Sequence, residues 1–126
     1  MPDKSILEKL QVKPGRSLLI LNPPQDFLAK AGAMPAGAEL FLEKQPAFIV
    51  TAFLRSMQEF LVLLSEIDRF LLPAGIFWVA YPKLTSILKG DVNRDTLNAA
   101  AQQRGWTGVA IISIDDDWSA LRLKRL

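Results

Sequence analysis

Four short apolar runs constrain this chain more than any other feature: Ser17–Leu21, Ala47–Leu54, Ile76–Ala80 and Val109–Ile114. Each is too short for an ordinary core helix. Each is also continuously apolar rather than alternating, which is the pattern of a strand buried on both faces. Such strands occur in parallel sheets, where helical crossovers cover both sides.

The segments between the runs read accordingly. Ser5-Ile-Leu-Glu8 is a capping box that opens a short helix ending near Leu10. Lys13-Pro-Gly15 turns the chain into the first run, and Asn22-Pro-Pro24 ends that run because proline has no N–H for a ladder. A short helix over Gln25–Lys30 is closed by Gly32, and Ala38–Glu43 reads as a weaker strand broken at Gln45-Pro46. Ser56-Met-Gln-Glu59 is a second capping box. The helix after it places Met57, Phe60, Leu61, Leu64, Ile67 and Leu71 at helical spacing, and Pro73-Ala-Gly75 ends it. Asn93 reads as an N-cap with Asp95 in the first turn; Leu97, Ala100 and Ala101 make a narrow apolar stripe, and Gly105 closes the helix. Ser119–Arg125 alternates, with Leu121 and Leu123 on one side and Arg122 and Lys124 on the other, which predicts a half-exposed antiparallel edge strand. The order predicts a three-layer Rossmann-like α/β domain over residues 1–126, its sheet of about six strands mainly parallel with an antiparallel C-terminal strand.

Composition narrows the chemistry. The chain has no histidine and no cysteine, so it holds no zinc site of the usual ligands, no Ser-His-Asp or Cys-His nucleophile and no disulfide framework. No metal site is expected. A net charge of +2, from 15 basic and 13 acidic side chains, does not by itself argue for nucleic acid as a partner. The basic run Arg122–Arg125 reads as the solvated face of a strand. Met1-Pro-Asp-Lys-Ser5 does not resemble the start of a signal peptide, and Phe60–Leu72 is interrupted by Glu66, Asp68 and Arg69. The expectation is a cytoplasmic protein with no membrane partner.

In an open α/β sheet the ligand lies beyond the carboxyl ends of the strands. The polar residues expected there are Asn22, Arg55, Ser56, Tyr81, Lys83 and Asp115–Asp117, followed by Trp118. Lys83 is the leading candidate for an anion contact, with Arg94 and the free N–H groups of the helix start at Asn93 beside it. Pairing with Asp91 or Asp95 is the structural alternative. Asp115–Asp117 has the oxygens for Mg²⁺, but aspartates favour turns for their own reasons. Trp118 is placed either against a planar ligand or in the core, and Arg122 is expected to pair with one of the aspartates. A glycine-rich dinucleotide loop is absent, since Asn22-Pro-Pro24 stands where G-x-G-x-x-G would. Glu43 stands where a ribose-binding acid would.

Lys13-Pro-Gly15, Asn22-Pro-Pro24, Trp78-Val-Ala-Tyr-Pro-Lys83, Asp91-Val-Asn-Arg-Asp95 and Asp117-Trp-Ser-Ala-Leu-Arg122 occur here in that order. The combination resembles an uncharacterised bacterial domain-of-unknown-function family of small Rossmann-like proteins, from about Leu10 to Leu123. More distantly, the pattern is similar to S-adenosylmethionine-dependent methyltransferases. The resemblance implies the fold and marks Asn22, Pro23, Tyr81, Pro82, Lys83, Asn93, Arg94, Asp95, Trp118, Ser119 and Arg122, but implies no activity. Catalytic residues and cofactor stay unassigned. Two functional readings stay open: a non-catalytic protein that binds a small anion or a protein partner at the strand ends through Asn22, Tyr81, Lys83, Asn93, Arg94, Asp115, Trp118 and Arg122, or an S-adenosylmethionine-dependent transferase with a non-standard cofactor loop. A homodimer built by sheet extension at Ser119–Arg125 is the third possibility.

Overall fold

The computed structural model describes residues 4–126. The chain runs through α1 (Ile6–Lys9), β1 (Ser17–Leu21), α2 (Phe27–Ala31), β2 (Glu39–Phe41), β3 (Ala47–Phe53) and α3 (Met57–Glu66). A 3₁₀ turn at Ile67–Arg69 leads into β4 (Leu71–Pro82), α4 (Arg94–Gln102), β5 (Trp106–Ser113) and β6 (Trp118–Arg125). The six strands form one sheet in the order β2-β1-β3-β4-β6-β5. β2, β1, β3 and β4 are mutually parallel, and β6 is antiparallel to both of its neighbours. This is the mainly parallel Rossmann-like sheet with an antiparallel last strand.

Two apolar layers sandwich the sheet. Ile6, Leu7 and Leu10 with Phe27 and Ala31 pack α1 and α2 onto Leu18, Ile20, Ile49 and Trp78. On the other side Phe60, Leu63, Leu97 and Ala101 pack α3 and α4 onto Leu19, Val50, Phe77, Val79 and Leu121. Both faces of β1, β3 and β4 are thus buried, the physical reason their sequences are continuously apolar. Both serine capping boxes form, at Ser5–Glu8 and at Ser56–Glu59.

Three elements depart from the sequence reading. Leu71 belongs to β4 and not to the face of α3; that helix buries Phe60, as expected, together with Leu63, and Met57 and Leu64 pack partly buried against the same core. Residues 72–75 bulge out of β4 between the pairs Ala47–Leu71 and Ile49–Ile76. Gly75 permits this close approach, since a Cβ there would stand 2.5 Å from the Phe48 carbonyl oxygen. The largest departure is at the sheet's end: β6 is an interior strand, and β5 is the edge. Sheet extension through Ser119–Arg125 is therefore blocked by β5 on one side and β4 on the other. No described helix is long and apolar enough to cross a membrane. The start Met1–Asp3, on which the expectation about a leader partly rests, lies outside the described residues.

Candidate functional site

From β1 the chain goes to one side for β2 and then crosses back to β3 on the other, so strand order reverses between β1 and β3. An open sheet of this kind binds its ligand at the carboxyl ends of those two strands. On the α1–α2 side of the sheet that crevice is filled by the protein's own side chains, while on the α3 side a cleft of about 350 Å³ lies between Leu21 and Asn22 of β1's end and Ala52, Leu54 and Ser56 of β3's end. Phe27 and Phe53 meet edge-to-face with ring centroids 4.9 Å apart, and Phe53 meets Trp118 in the same way at 5.0 Å. The Arg55 guanidinium lies 5.8 Å from the centre of the Trp118 ring. The segment 83–92 crosses the strand ends beside them. The Lys83 N–H donates to the Asp117 carbonyl at 2.7 Å, and the Ser86 hydroxyl to the Asp117 carboxylate at 2.7 Å. Farther along, the Asp91 carboxylate accepts from the Met57 N–H at 3.0 Å. A Cβ at Gly90 would stand 2.7 Å from the Arg55 carbonyl oxygen.

The N–H donors at both long-helix starts are also taken. At α3 the Glu59 carboxylate accepts from the N–H groups of Arg55 and Ser56, and the Ser56 hydroxyl accepts from Glu59 N–H. At α4 the Asn93 side-chain oxygen accepts from Asp95 and Thr96 at 2.9 and 3.0 Å. The expectation that the α4 start offers those groups to an anion is therefore corrected: Asn93 is a cap.

The eight sequence candidates divide. Tyr81, Lys83, Asn93 and Arg94 do converge, lining a cleft of about 430 Å³ with Asp95, Ile111 and Ser119. There the Lys83 ammonium donates to the Ser113 hydroxyl at 2.7 Å and makes no ion pair with Asp91, Asp95 or any other described residue. Arg94 and Asp95 pair at 3.3 Å on the exposed rim. Burial pushes the Tyr81 hydroxyl above its ordinary pKa; Arg94 and Ser119 oppose the shift, and Asp95 adds to it. At neutral pH this hydroxyl is a donor.

The other four candidates lie elsewhere. Asn22, exposed and at φ +55°, lines the cleft of about 350 Å³ at the ends of β1 and β3, with Leu21, Ala52, Leu54, Ser56, Lys44 and Glu66. The Asp115 carboxylate accepts from the N–H groups of Asp117 and Trp118 at 2.8 and 2.9 Å and pairs with Lys30, so it builds a turn. Trp118 is 3% exposed and belongs to the core. Arg122 stands opposite Trp78 in the sheet and pairs with none of the three aspartates, so the expected ion pair does not form. No cluster of metal-ligating side chains occurs among the described residues.

Sequence reasoning put Asn22 and Ser56 at the strand ends but did not foresee Lys44, Val62 and Glu66 beside them. The signal was the link between β2 and β3, residues 42–46, which is too short for a crossover helix. The flank of β1 facing α3 is therefore left thinly covered, with Leu42 and Val62 more than half exposed. Lys44 and Glu66 bridge the gap with an ion pair at 2.8 Å.

No family model and no curated protein matches the chain. Solved structures do. A ribosomal protein L11 methylase from Lactobacillus delbrueckii subsp. bulgaricus superposes with a TM-score of 0.60 at 14% identity, over 94% of this chain and 74% of its own. A SAM-dependent methyltransferase from Aquifex aeolicus gives 0.62 at 12% identity, over 94% and 86%. Fibrillarin from Aeropyrum pernix, with natively bound S-adenosyl-L-methionine, gives 0.58 at 11%, over 90% and 68%. The chain thus has the Rossmann-like fold of S-adenosylmethionine-dependent methyltransferases. At these identities the likeness speaks of the fold alone.

The cofactor those enzymes use needs donors and room at the strand ends. In this chain Pro23 and Pro24 have no N–H to offer after β1, β2 ends at Phe41 with Glu43 exposed beyond it, and Phe27, Phe53 and Trp118 occupy the α1–α2 side of the strand ends. The backbone donors of a glycine-rich loop are therefore missing after β1, while room remains on the α3 side in the cleft at Asn22.

Proposed function

We propose that the chain uses a methyltransferase-type scaffold to bind a small anionic molecule, without catalysis, in the cleft between the end of β4 and the start of α4. The observation that carries the reading is Lys83: a half-buried cation without a carboxylate partner among the described residues, in a cleft shared with Arg94, Asn93 and a protonated Tyr81. Lys83 supplies charge, Arg94 a second cation that can leave Asp95, and Tyr81 with Ser119 directional hydroxyl contacts.

The test is thermal denaturation with inorganic phosphate, pyrophosphate and nucleoside monophosphates. A ligand at a hundred times its Kd adds about 2.7 kcal/mol of stability, and the gain should vanish in Lys83→Ala. A panel without any shift, or shifts identical in that variant, would end the reading.

An S-adenosylmethionine-dependent transferase is the second reading. The likeness to methyltransferases over nine-tenths of the chain favours it over a non-catalytic role; the two prolines after β1 favour the first. Calorimetry with S-adenosylmethionine separates them. Heat of binding that persists in Lys83→Ala establishes the second reading, and no heat at about millimolar cofactor removes it.

A further inference from the structure

A net charge of +2 conceals how the charges are distributed. α1 and α2 cover β1, β3, β4 and the Trp118–Ala120 end of β6 on their side of the sheet, but no described helix covers the stretch of Thr107–Ala110 and Arg122–Lys124 there. The register Ala110–Arg122, Thr107–Lys124 and Ile112–Ala120 sets Thr107, Ala110, Ile112, Arg122 and Lys124 on that side, with Val109 bulged out of the pairing. Ile112 and Ser113 share a shallow recess with Lys4, Glu8, Lys9, Gln11 and Lys13. The Lys9 ammonium donates to the Ser113 carbonyl at 3.0 Å, which ties α1 to the edge of the face. The Trp78 indole N–H donates to the Leu10 carbonyl at 3.1 Å, and Trp78 stands opposite Arg122 in the sheet, so the end of α1 is fixed beside the Arg122 row.

Lys4, Lys9 and Lys13 thus line a recess at one end of this side of the sheet, and Arg122 and Lys124 line a second cleft farther along it, with Asp68 and Leu71–Gly75. None of the five makes an ion pair among the described residues. Glu8 is the acid of the recess, and its carboxylate is held by the Ser5 N–H at 3.1 Å. The geometry points to a face that binds the phosphodiester backbone of a nucleic acid, independent of sequence. The cations are spread over α1 and β6 along this side of the sheet, which suits a chain of phosphates rather than one small anion. Of the sheet residues on this face Thr107 and Ala110 are small and Ile112 packs against the core, and Leu72, 39% exposed in the Arg122–Lys124 cleft, is too little apolar surface to enter a bilayer interface. This face lies across the sheet from the Lys83 cleft and does not depend on the reading given for that cleft.

Fluorescence anisotropy of labelled single-stranded and duplex oligonucleotides, titrated with the whole chain, tests the proposal. Binding to either form should weaken with salt. If four or five cations meet phosphates, the slope of log K against log salt is about −3 to −4.5. Arg122→Ser with Lys124→Ser should bind at least about tenfold more weakly, with a slope shallower by about 1.5 to 2. Lys13→Ser, on a turn outside the sheet, should shift binding in the same direction if the double variant does not fold. Lys83→Ala should leave binding unchanged. No anisotropy change at low salt would overturn the proposal, as would binding indifferent to these substitutions. So would flotation with vesicles of phosphatidylcholine and phosphatidylserine by a protein that ignores both oligonucleotides.

Discussion

Thr51 offers a test in which a mutation should strengthen the protein. It lies mid-strand in β3, fully buried between Ile20 of β1 and Trp78 of β4. Its hydroxyl has no hydrogen-bond partner among the described residues. The nearest side-chain donor in register, the Trp78 indole N–H, is spent on the Leu10 carbonyl. A buried polar group left unpaired costs about 1–3 kcal/mol, because it loses its water without a replacement. Valine keeps the shape and the β-branch that the strand favours. Thr51→Val should therefore stabilise the fold by about 1–2 kcal/mol. For 126 residues the unfolding entropy is about 0.26 kcal/mol per kelvin, so the melting temperature should rise by about 4–8 °C. Urea denaturation with an unchanged m-value would confirm that the native state is what changed. A loss of stability in Thr51→Val would refute the reasoning and place a hydrogen-bonded water beside the hydroxyl.

Two further outcomes follow from the strand ends. Phe53→Ala removes the middle ring of the Phe27–Phe53–Trp118 row and should cost about 3–5 kcal/mol in urea denaturation; a cost below about 1 kcal/mol would mean the crevice is open. Tyr81 is the chain's only tyrosine, so its phenolate absorbance titrates alone. With its folded pKa raised by burial, its contribution to stability is complete below the unfolded value near 10 and is lost as pH rises towards the folded pKa. The stability of Tyr81→Phe should not show that loss, and matching alkaline slopes in both proteins would contradict the assignment.

Much of the fold was legible because it rests on local signals. Continuous apolarity marks Ser17–Leu21 and Ile76–Ala80 as doubly buried strands, and the Ser-x-x-Glu boxes at Ser5 and Ser56 mark helix starts to the residue. What failed depends on pairing between distant segments. Alternation in Ser119–Arg125 reports only that one face is covered, and an interior strand whose neighbour is the edge gives the same pattern. Leu71 fits the periodicity of α3, yet pairing with Ala47 draws it into β4. Of the site candidates, Tyr81, Lys83, Asn93 and Arg94 lie together because one strand exit and one helix start meet there. Trp118 takes the core alternative and Asp115 the turn alternative, which a residue's place after a strand does not decide.

The filled crevice and the thin flank belong together energetically. β2 contributes only three residues, and the link 42–46 supplies no helix, so the sheet on that side buries little apolar surface. A domain this small has a margin of about 5–15 kcal/mol, and a missing helix layer removes a sizeable part of the usual gain. The strand ends contribute in its place. Two edge-to-face aromatic pairs add about 0.5–1.5 kcal/mol each, and the Ser56 and Asn93 caps about 0.5–2 kcal/mol each. In an open crevice, ring surfaces and helix-start donors would be left to a ligand. Here they hold the protein together, and a ligand entering on the α1–α2 side would have to break several of these contacts; the space left at the ends of β1 and β3 is on the α3 side, beside Asn22. Binding energy is available where the fold does not already use its charges: around Lys83, and on the uncovered β5–β6 face.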